Sequence, residues 1–358
     1  MIDRKRITID WINEVSIKNR NADKILIEKV IRALLVLEGL VQEHLNFIFK
    51  GGTALMLHLN STKRLSIDID ILVPQLPGGL NETLANVALK QGFTRHEITP
   101  RLSRSKIKKS HYKFFYNSMF SSGKVEDYIM LDILIEINNY QKIVLMPVQS
   151  PFIPLKDEPV LVQLPSLEDI LADKLTAFAP NTTGIPYFKN DDSMAMEIIK
   201  QLFDIGNLFD AVENLEVIKS TFFRFVETEI NYRTSLFTAM DVLEDIFQTS
   251  LCIVSRGTTG AGDFDQLRMG LKRVTGFIFS ENYHLEKAIA HATKAAYLSV
   301  LIKHNASNLK KFDPSHKMDD WKIDPPYNTK LNKLKKSNPE SFFYWYKIFK
   351  LESKKMND

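Results

Sequence analysis

Cysteine is nearly absent: Cys252 is the only one in 358 residues. One thiol closes no intramolecular disulfide and builds no multi-cysteine zinc site, and such usage fits a reducing cytoplasm. Long apolar runs are missing too. The greasiest, Ala33-Leu34-Leu35-Val36-Leu37, breaks at Glu38 and is far too short to span a bilayer, so no membrane partner is expected. No apolar stretch follows Met1-Ile2-Asp3-Arg4-Lys5-Arg6, so no secretory signal is expected there. A large excess of one charge is missing: 47 basic residues face 43 acidic ones, and the net value of +4 permits a polyanionic partner without demanding one. The run Gly257-Thr258-Thr259-Gly260-Ala261-Gly262 lacks a P-loop lysine and a surrounding βαβ pattern, so it reads as a helix–helix connection. No internal repeat is evident. What remains is ordinary globular composition, 44% hydrophobic and 25% charged, at a length that suits two domains.

One stretch organises the chain. Phe47-Ile48-Phe49-Lys50 reads as a short buried strand that stops on Gly51-Gly52-Thr53 and turns into a helix. Arg64-Leu65-Ser66-Ile67-Asp68-Ile69-Asp70-Ile71-Leu72 reads as a strand with aspartates at i and i+2. Successive strand side chains alternate, so Asp68 and Asp70 share one face and Ile67, Ile69 and Ile71 the other. Two neighbouring carboxylates repel unless a cation lies between them, and the natural one is hard and divalent, Mg²⁺ or Mn²⁺. The glycine turn supplies the complement, since its N–H groups and the following helix N-terminus form a nest for a triphosphate.

Further along, Ile129-Met130-Leu131-Asp132-Ile133-Leu134-Ile135-Glu136-Ile137 places aliphatic residues at every odd position. These form the expected buried face, with Asp132 and Glu136 opposite and roughly 13 Å apart. A carboxylate in so apolar a strand is costly unless paired or metal-bound.

The string Lys50-Gly51-Gly52-Thr53-Ala54-Leu55 with Arg64-x-Ser66-x-Asp68-Ile69-Asp70 resembles the nucleotidyltransferase superfamily's first motif. More narrowly, it resembles the AbiEii/AbiGii (MenT-like) toxin branch. The resemblance covers roughly residues 45–210 and implies an α/β fold: a core with a small mixed sheet over 1–155, then an α-helical domain over 156–358. It implies Asp68, Asp70 and Asp132 as metal ligands, Asp132 being the better match than Glu136 for the third acid. It also implies Lys50, Gly51, Gly52, Thr53 and Ser66 as nucleotide-binding residues. Lys174, in Leu171-x-x-Lys174-Leu175-x-x-Phe178, admits two readings. It either snorkels beside a core stripe or, on the resemblance, reaches the nucleotide phosphates as a catalytic cation. Lys200 and Asp204 occupy the place of a further family motif, although Gln201 stands where an acid is often found.

The implied chemistry is attack of a hydroxyl on the α-phosphate of an NTP with release of pyrophosphate. The implied biology is the toxin half of a type IV-like toxin–antitoxin or abortive-infection pair, with a separately encoded antitoxin and an RNA acceptor, the tRNA 3′ end. Two alternatives stand beside it: transfer onto a protein hydroxyl, and a catalytically inactive nucleotide- or RNA-binding module.

Elsewhere, Asn21 to Glu43 reads as an amphipathic helix capped by Asn21 or Asp23, and 81–91 as another stopped by Gly92. Pro147 to Pro165, with five prolines, reads as the bridge to the helical half. Ser166 suits an N-cap, and 180–187 is a turn-rich loop that either closes over substrate or only connects helices. Arg101, Arg104, Lys106, Lys108, Lys109 and Lys113 form a basic run, either a protected sheet edge or a nucleic-acid contact. Residues 330–358 carry eight lysines, three acids and several aromatics. Trp345, Ile348, Phe349 and Leu351 favour a docking helix over an RNA-stacking surface.

Overall fold

The computed structural model describes residues 1–59, 63–99, 108–120, 126–233, 236–325 and 328–354. They fall into two units, Met1–Ser166 with Thr275–Asn282 and Leu167–Val274 with Tyr283–Asp358.

The first unit is built around a mixed sheet. Its elements in chain order are α1 (Ile9–Lys18), α2 (Lys24–Gln42), β1 (Ile48–Lys50), α3 (Gly51–His58), β2 (Ile69–Val73) and α4 (Leu80–Gln91). β3 (Arg95–Ile98), β4 (Lys109–Asn117), β5 (Glu126–Ile135), β6 (Ile143–Pro147) and β7 (Leu161–Pro165) follow. Among the described residues the main sheet has five strands in the order β1-β2-β5-β4-β3. Among the described residues only the β2–β5 pair of this sheet is parallel.

Alternation divides the residues of that sheet. Phe49, Ile69, Ile71, Leu131, Ile133, Tyr112 and Phe114 lie on one face and are buried. Against this face packs α2, whose Ile27, Val30, Ile31, Leu34 and Leu35 have no exposed surface. Asp23 caps α2, its side chain accepting from the Leu26 N–H at 3.0 Å. Gly92 ends α4 in the left-handed region, φ +77°, where a side chain would be strained. The proline-rich stretch is not a plain bridge. Its end forms β7, which pairs antiparallel with β6, so both lie in the first unit with Pro147 and Pro165 at strand ends.

The second unit is helical: α5 (Leu167–Ala177), α6 (Ala195–Ala211), α7 (Leu215–Arg233), α8 (Ala239–Val254), α9 (Phe264–Arg273), α10 (Leu285–Lys303), the short α11 (Asn328–Leu331) and α12 (Leu334–Ser337), and α13 (Pro339–Lys354). A two-residue pair, β8 (Phe188–Lys189) and β9 (Asp192–Ser193), precedes α6. α10 is the hub, buried along nearly its whole length against α6, α8 and α13. Phe342, Phe343, Tyr344 and Trp345 of α13 are fully buried, and the Trp345 indole donates to Thr293 Oγ1 of α10 at 3.0 Å. The aromatic C-terminal segment therefore docks onto its own unit. Among the described residues no helix is long and apolar enough to cross a membrane.

Candidate active site

Register does what spacing alone could not. Lys50 of β1 pairs with Asp70 of β2, Asp70 pairs with Asp132 of β5, and Asp132 pairs with His111 of β4. These four residues form one rung across four strands, on the face opposite the buried apolar set. Adjacent strands lie about 4.8 Å apart, so the rung places two carboxylates side by side between a lysine and a histidine. Asp132 thus lies in register with Asp70. Glu136 lies beyond the end of β5, where its N–H donates to Val73 O at 3.0 Å and its side chain accepts from Asn139 at 3.2 Å. Ile137, expected on the buried face, is also past the strand and is 80% exposed.

Asp68 falls one residue before β2 and is exposed, whereas Asp70 within the strand is half-buried. The Thr53 hydroxyl donates to Asp68 O at 2.6 Å, and Thr53 is fully buried. Thr53 therefore fixes the main chain at the entry to β2.

The glycines permit close approach. Gly51 has φ +80°, and a Cβ there would lie 2.2 Å from Asp70 Oδ2. The Asp70 carboxylate is thus lodged against the start of α3. At Gly52 a Cβ would lie 2.6 Å from Arg64 Nη2 and 2.7 Å from Ser66 Oγ. Arg64 is buried and donates to Leu65 O at 3.2 Å. α3 begins without a side-chain cap at Lys50, so its first N–H groups receive no cap from that side chain. The helix start, Ser66 and a buried guanidinium therefore converge at the edge of the acidic rung. Lys50 Nζ lies 5.8 Å from the centroid of the buried Tyr140 ring.

Two residues here escape sequence reasoning. Arg64 lies inside the motif but draws no role from its spacing. His111 lies in the basic run and reads there as one polar residue among lysines; its alternation with Tyr112 and Phe114 marks its face but not its neighbour. Of that run, Arg101, Arg104 and Lys106 lie outside the described residues. Lys109 and Lys113 are on β4, an interior strand of the sheet. Among the described residues no group of three His, Cys, Asp or Glu side chains converges closely enough to hold a metal ion unaided.

In the second unit Lys174 does not snorkel. It is 7% exposed and pairs with Asp204 Oδ2 at 3.1 Å, Asp204 itself being 3% exposed. Lys200 lies 3.3 Å from Glu197, one turn back on the same helix. The loop 180–187 is tied down. Asp245 accepts from the Asn181 N–H, the Asn181 side chain and the Thr182 hydroxyl at 2.7–2.9 Å. Arg233 donates to carbonyls of Thr182, Thr183 and Gly184. It is an anchored connection.

Comparison with known proteins extends this picture. No curated protein matches the chain significantly. Two solved Helicobacter pylori proteins are similar at 16% identity and a TM-score of 0.42. One is JHP933, with 78% of this chain and 90% of that one covered. The other is described as a candidate nucleotidyltransferase, with 79% and 96% covered. Likenesses this distant carry no argument about the site. The family model for the nucleotidyl transferase AbiEii toxin of type IV toxin–antitoxin systems matches residues 34–253, well over half the chain and inclusive of every residue of the acidic rung. The chain belongs to that family of nucleotidyltransferase enzymes, the toxins of type IV toxin–antitoxin systems.

Proposed function

We propose that the protein transfers a nucleoside monophosphate from an NTP to a hydroxyl on RNA, with the 3′ end of tRNA as acceptor, and releases pyrophosphate. Tailing that end would block aminoacylation and halt translation. The observation that carries this reading is the Lys50–Asp70–Asp132 rung next to the first turn of α3, which the Lys50 side chain does not cap. One place then offers oxygen donors for a cation and N–H donors for a triphosphate.

The donor set suits Mg²⁺ or Mn²⁺. Asp70 and Asp132 are adjacent carboxylates, and Asp68 adds an exposed third two residues before Asp70. Hard divalent ions prefer such oxygens, and Mg²⁺ commonly takes one or two carboxylates and completes its shell with water and substrate phosphate. An incomplete protein cage agrees with that habit. When bound, the cation neutralises triphosphate charge and lowers the pKa of the attacking hydroxyl.

The chain's own groups do the rest. Gly51 and Gly52 present backbone N–H groups to phosphate oxygens at the positive end of α3. Ser66 adds a hydroxyl beside Gly52, and Lys50 adds positive charge at the end of the rung. Thr53 holds Asp68 in place through its carbonyl. For Lys174, Lys200 and Asp204 as nucleotide-contacting residues, the support is the family match, which spans parts of both units. Positioning and charge stabilisation suffice, so no covalent intermediate is invoked.

The test is incubation with each α-labelled NTP, Mg²⁺ and total tRNA, alongside Asp70→Ala. Label on tRNA that disappears in the variant is the expected result. Label in a protein band, with tRNA unlabelled, overturns the acceptor and keeps the chemistry. Nucleotide binding without pyrophosphate release overturns the reaction.

A further inference from the structure

The acidic rung ends on a histidine that the proposed chemistry does not use. His111 Nδ1 lies 2.6 Å from Asp132 Oδ1. The two are direct partners across the antiparallel β4–β5 pair, so the contact is written into the sheet rather than made by a flexible loop. His111 is 7% exposed although it lies on the face away from the apolar core, and Asp132 keeps 30% of its side chain in solvent. The buried partner is thus the histidine, and the reachable one is the acid.

We propose that His111 is the positioning residue for Asp132 as a ligand of the divalent cation, an inference that rests on the reading of Asp132 as the third acid. With the carboxylate ionised, Nδ1 carries the hydrogen and donates it to Oδ1. That bond restricts rotation of the carboxylate about its Cβ–Cγ axis and orients its oxygens for a cation beside Asp70. A carboxylate that must meet a metal in one geometry gains from such a second hydrogen bond, and removing an outer partner of this kind typically costs about 10–100-fold in metal affinity. Burial supports the role, because a ring packed on the rung has few other orientations. A residue serving only packing would need its shape and volume; a positioning residue needs its donor.

The experiment is Mn²⁺ titration followed by paramagnetic resonance on the full chain, with and without a non-hydrolysable α,β-methylene NTP. The variants are His111→Ala, His111→Asn and Asp132→Ala, each with its thermal melt recorded. His111→Ala is expected to weaken Mn²⁺ binding about 10–100-fold. His111→Asn, whose amide can donate from a similar place, is expected to recover most of that affinity whether or not it recovers the melting temperature. Unchanged affinity in a folded His111→Ala, or a folded His111→Asn no better than alanine, overturns the positioning role. Unchanged affinity in Asp132→Ala overturns the acid assignment and this inference with it. A wild type that binds no Mn²⁺ in either condition overturns the metal reading altogether.

Discussion

Charge is handled in opposite ways in the two units. On the sheet of the first, Asp70 and Asp132 are neighbours of like sign, held in register on adjacent strands. In the helical unit, Lys174 and Asp204 are neighbours of opposite sign at 3.1 Å, both nearly sealed from solvent. Like charges side by side repel, and here Lys50 and His111 at the two ends of the rung offset part of that repulsion. A buried ion pair is compensated from within and turns costly only when one partner is taken away. The first arrangement is the one we propose receives a cationic ligand. The second couples stability to the same residues that the family resemblance gives to the nucleotide. Two buried acids of α2 make the point within the first unit. Glu28 is satisfied by the Met119 N–H, the Ser118 hydroxyl and Arg32, and Glu38 by the Ile2 N–H at 2.8 Å. Burial raises the pKa of Glu38. Those carboxylates hold the chain together.

If the contrast is right, substitutions at the two places should part company. The largest effect belongs to Asp70→Asn. Pyrophosphate release should fall on the order of 10³-fold, or ~4 kcal/mol of transition-state stabilisation. The melting temperature in the absence of metal should hold or rise as the like-charge repulsion is relieved. A clear drop in melting temperature would break the comparison from its sheet side. Asp204→Ala should do the reverse and strand Lys174 as an uncompensated buried charge. The expected loss is about 3–5 kcal/mol of stability by denaturant melts. The double replacement Lys174→Met with Asp204→Leu should recover much of it while leaving the protein inactive. Recovery of activity as well would reduce the pair to a structural one.

Gly51→Ala comes next. Its Cβ would collide with the Asp70 carboxylate and demand a positive φ, so about 2 kcal/mol of destabilisation is expected together with loss of turnover. Equal activity in that variant would show that Asp70 need not lie against α3. A pH slope in the helical unit gives the last test. Burial first, then the charges of Lys294 and Lys287, pushes His291 down to about 3. The unfolded chain takes up that proton near pH 6.5 and the folded one only near pH 3, so the unfolded state binds more protons in between. Stability should therefore fall as pH drops through that window. A His291→Leu variant should show a shallower slope, measured by melts between pH 7 and pH 4 (about the range of the histidine's effect).

Some of the site was plain in the residues and some was not. Asp70 and Gly51-Gly52 were legible because a period of two and a glycine turn are local, whereas Asp68, read as a strand residue, falls one position before β2. Thr53 was legible as part of the turn, but the bond from its hydroxyl to the Asp68 carbonyl is a tertiary fact. Lys174 was ambiguous because a helical stripe cannot say whether a lysine tip reaches water; Asp204, thirty positions later, decides it. The proline-rich stretch misled because prolines at strand ends resemble a linker in sequence, yet Leu161–Pro165 pairs with Ile143–Pro147.

By itself the sequence determined the fold class, a capped start for α2, the stop of α4 at Gly92, the helical second half, and the faces of Ile69, Asp70 and Ile71 and of Ile129 to Ile133. Those follow from interactions within a few residues: alternation, periodicity, capping hydrogen bonds and the glycine's tolerance of positive φ. Tertiary structure alone decided the rung Lys50–Asp70–Asp132–His111, the burial of Arg64 beside Gly52, and the pairing of Lys174 with Asp204. Strand register and helix contacts are set by the simultaneous packing of segments far apart in the chain. A period of two tells which way a side chain points and never whom it meets.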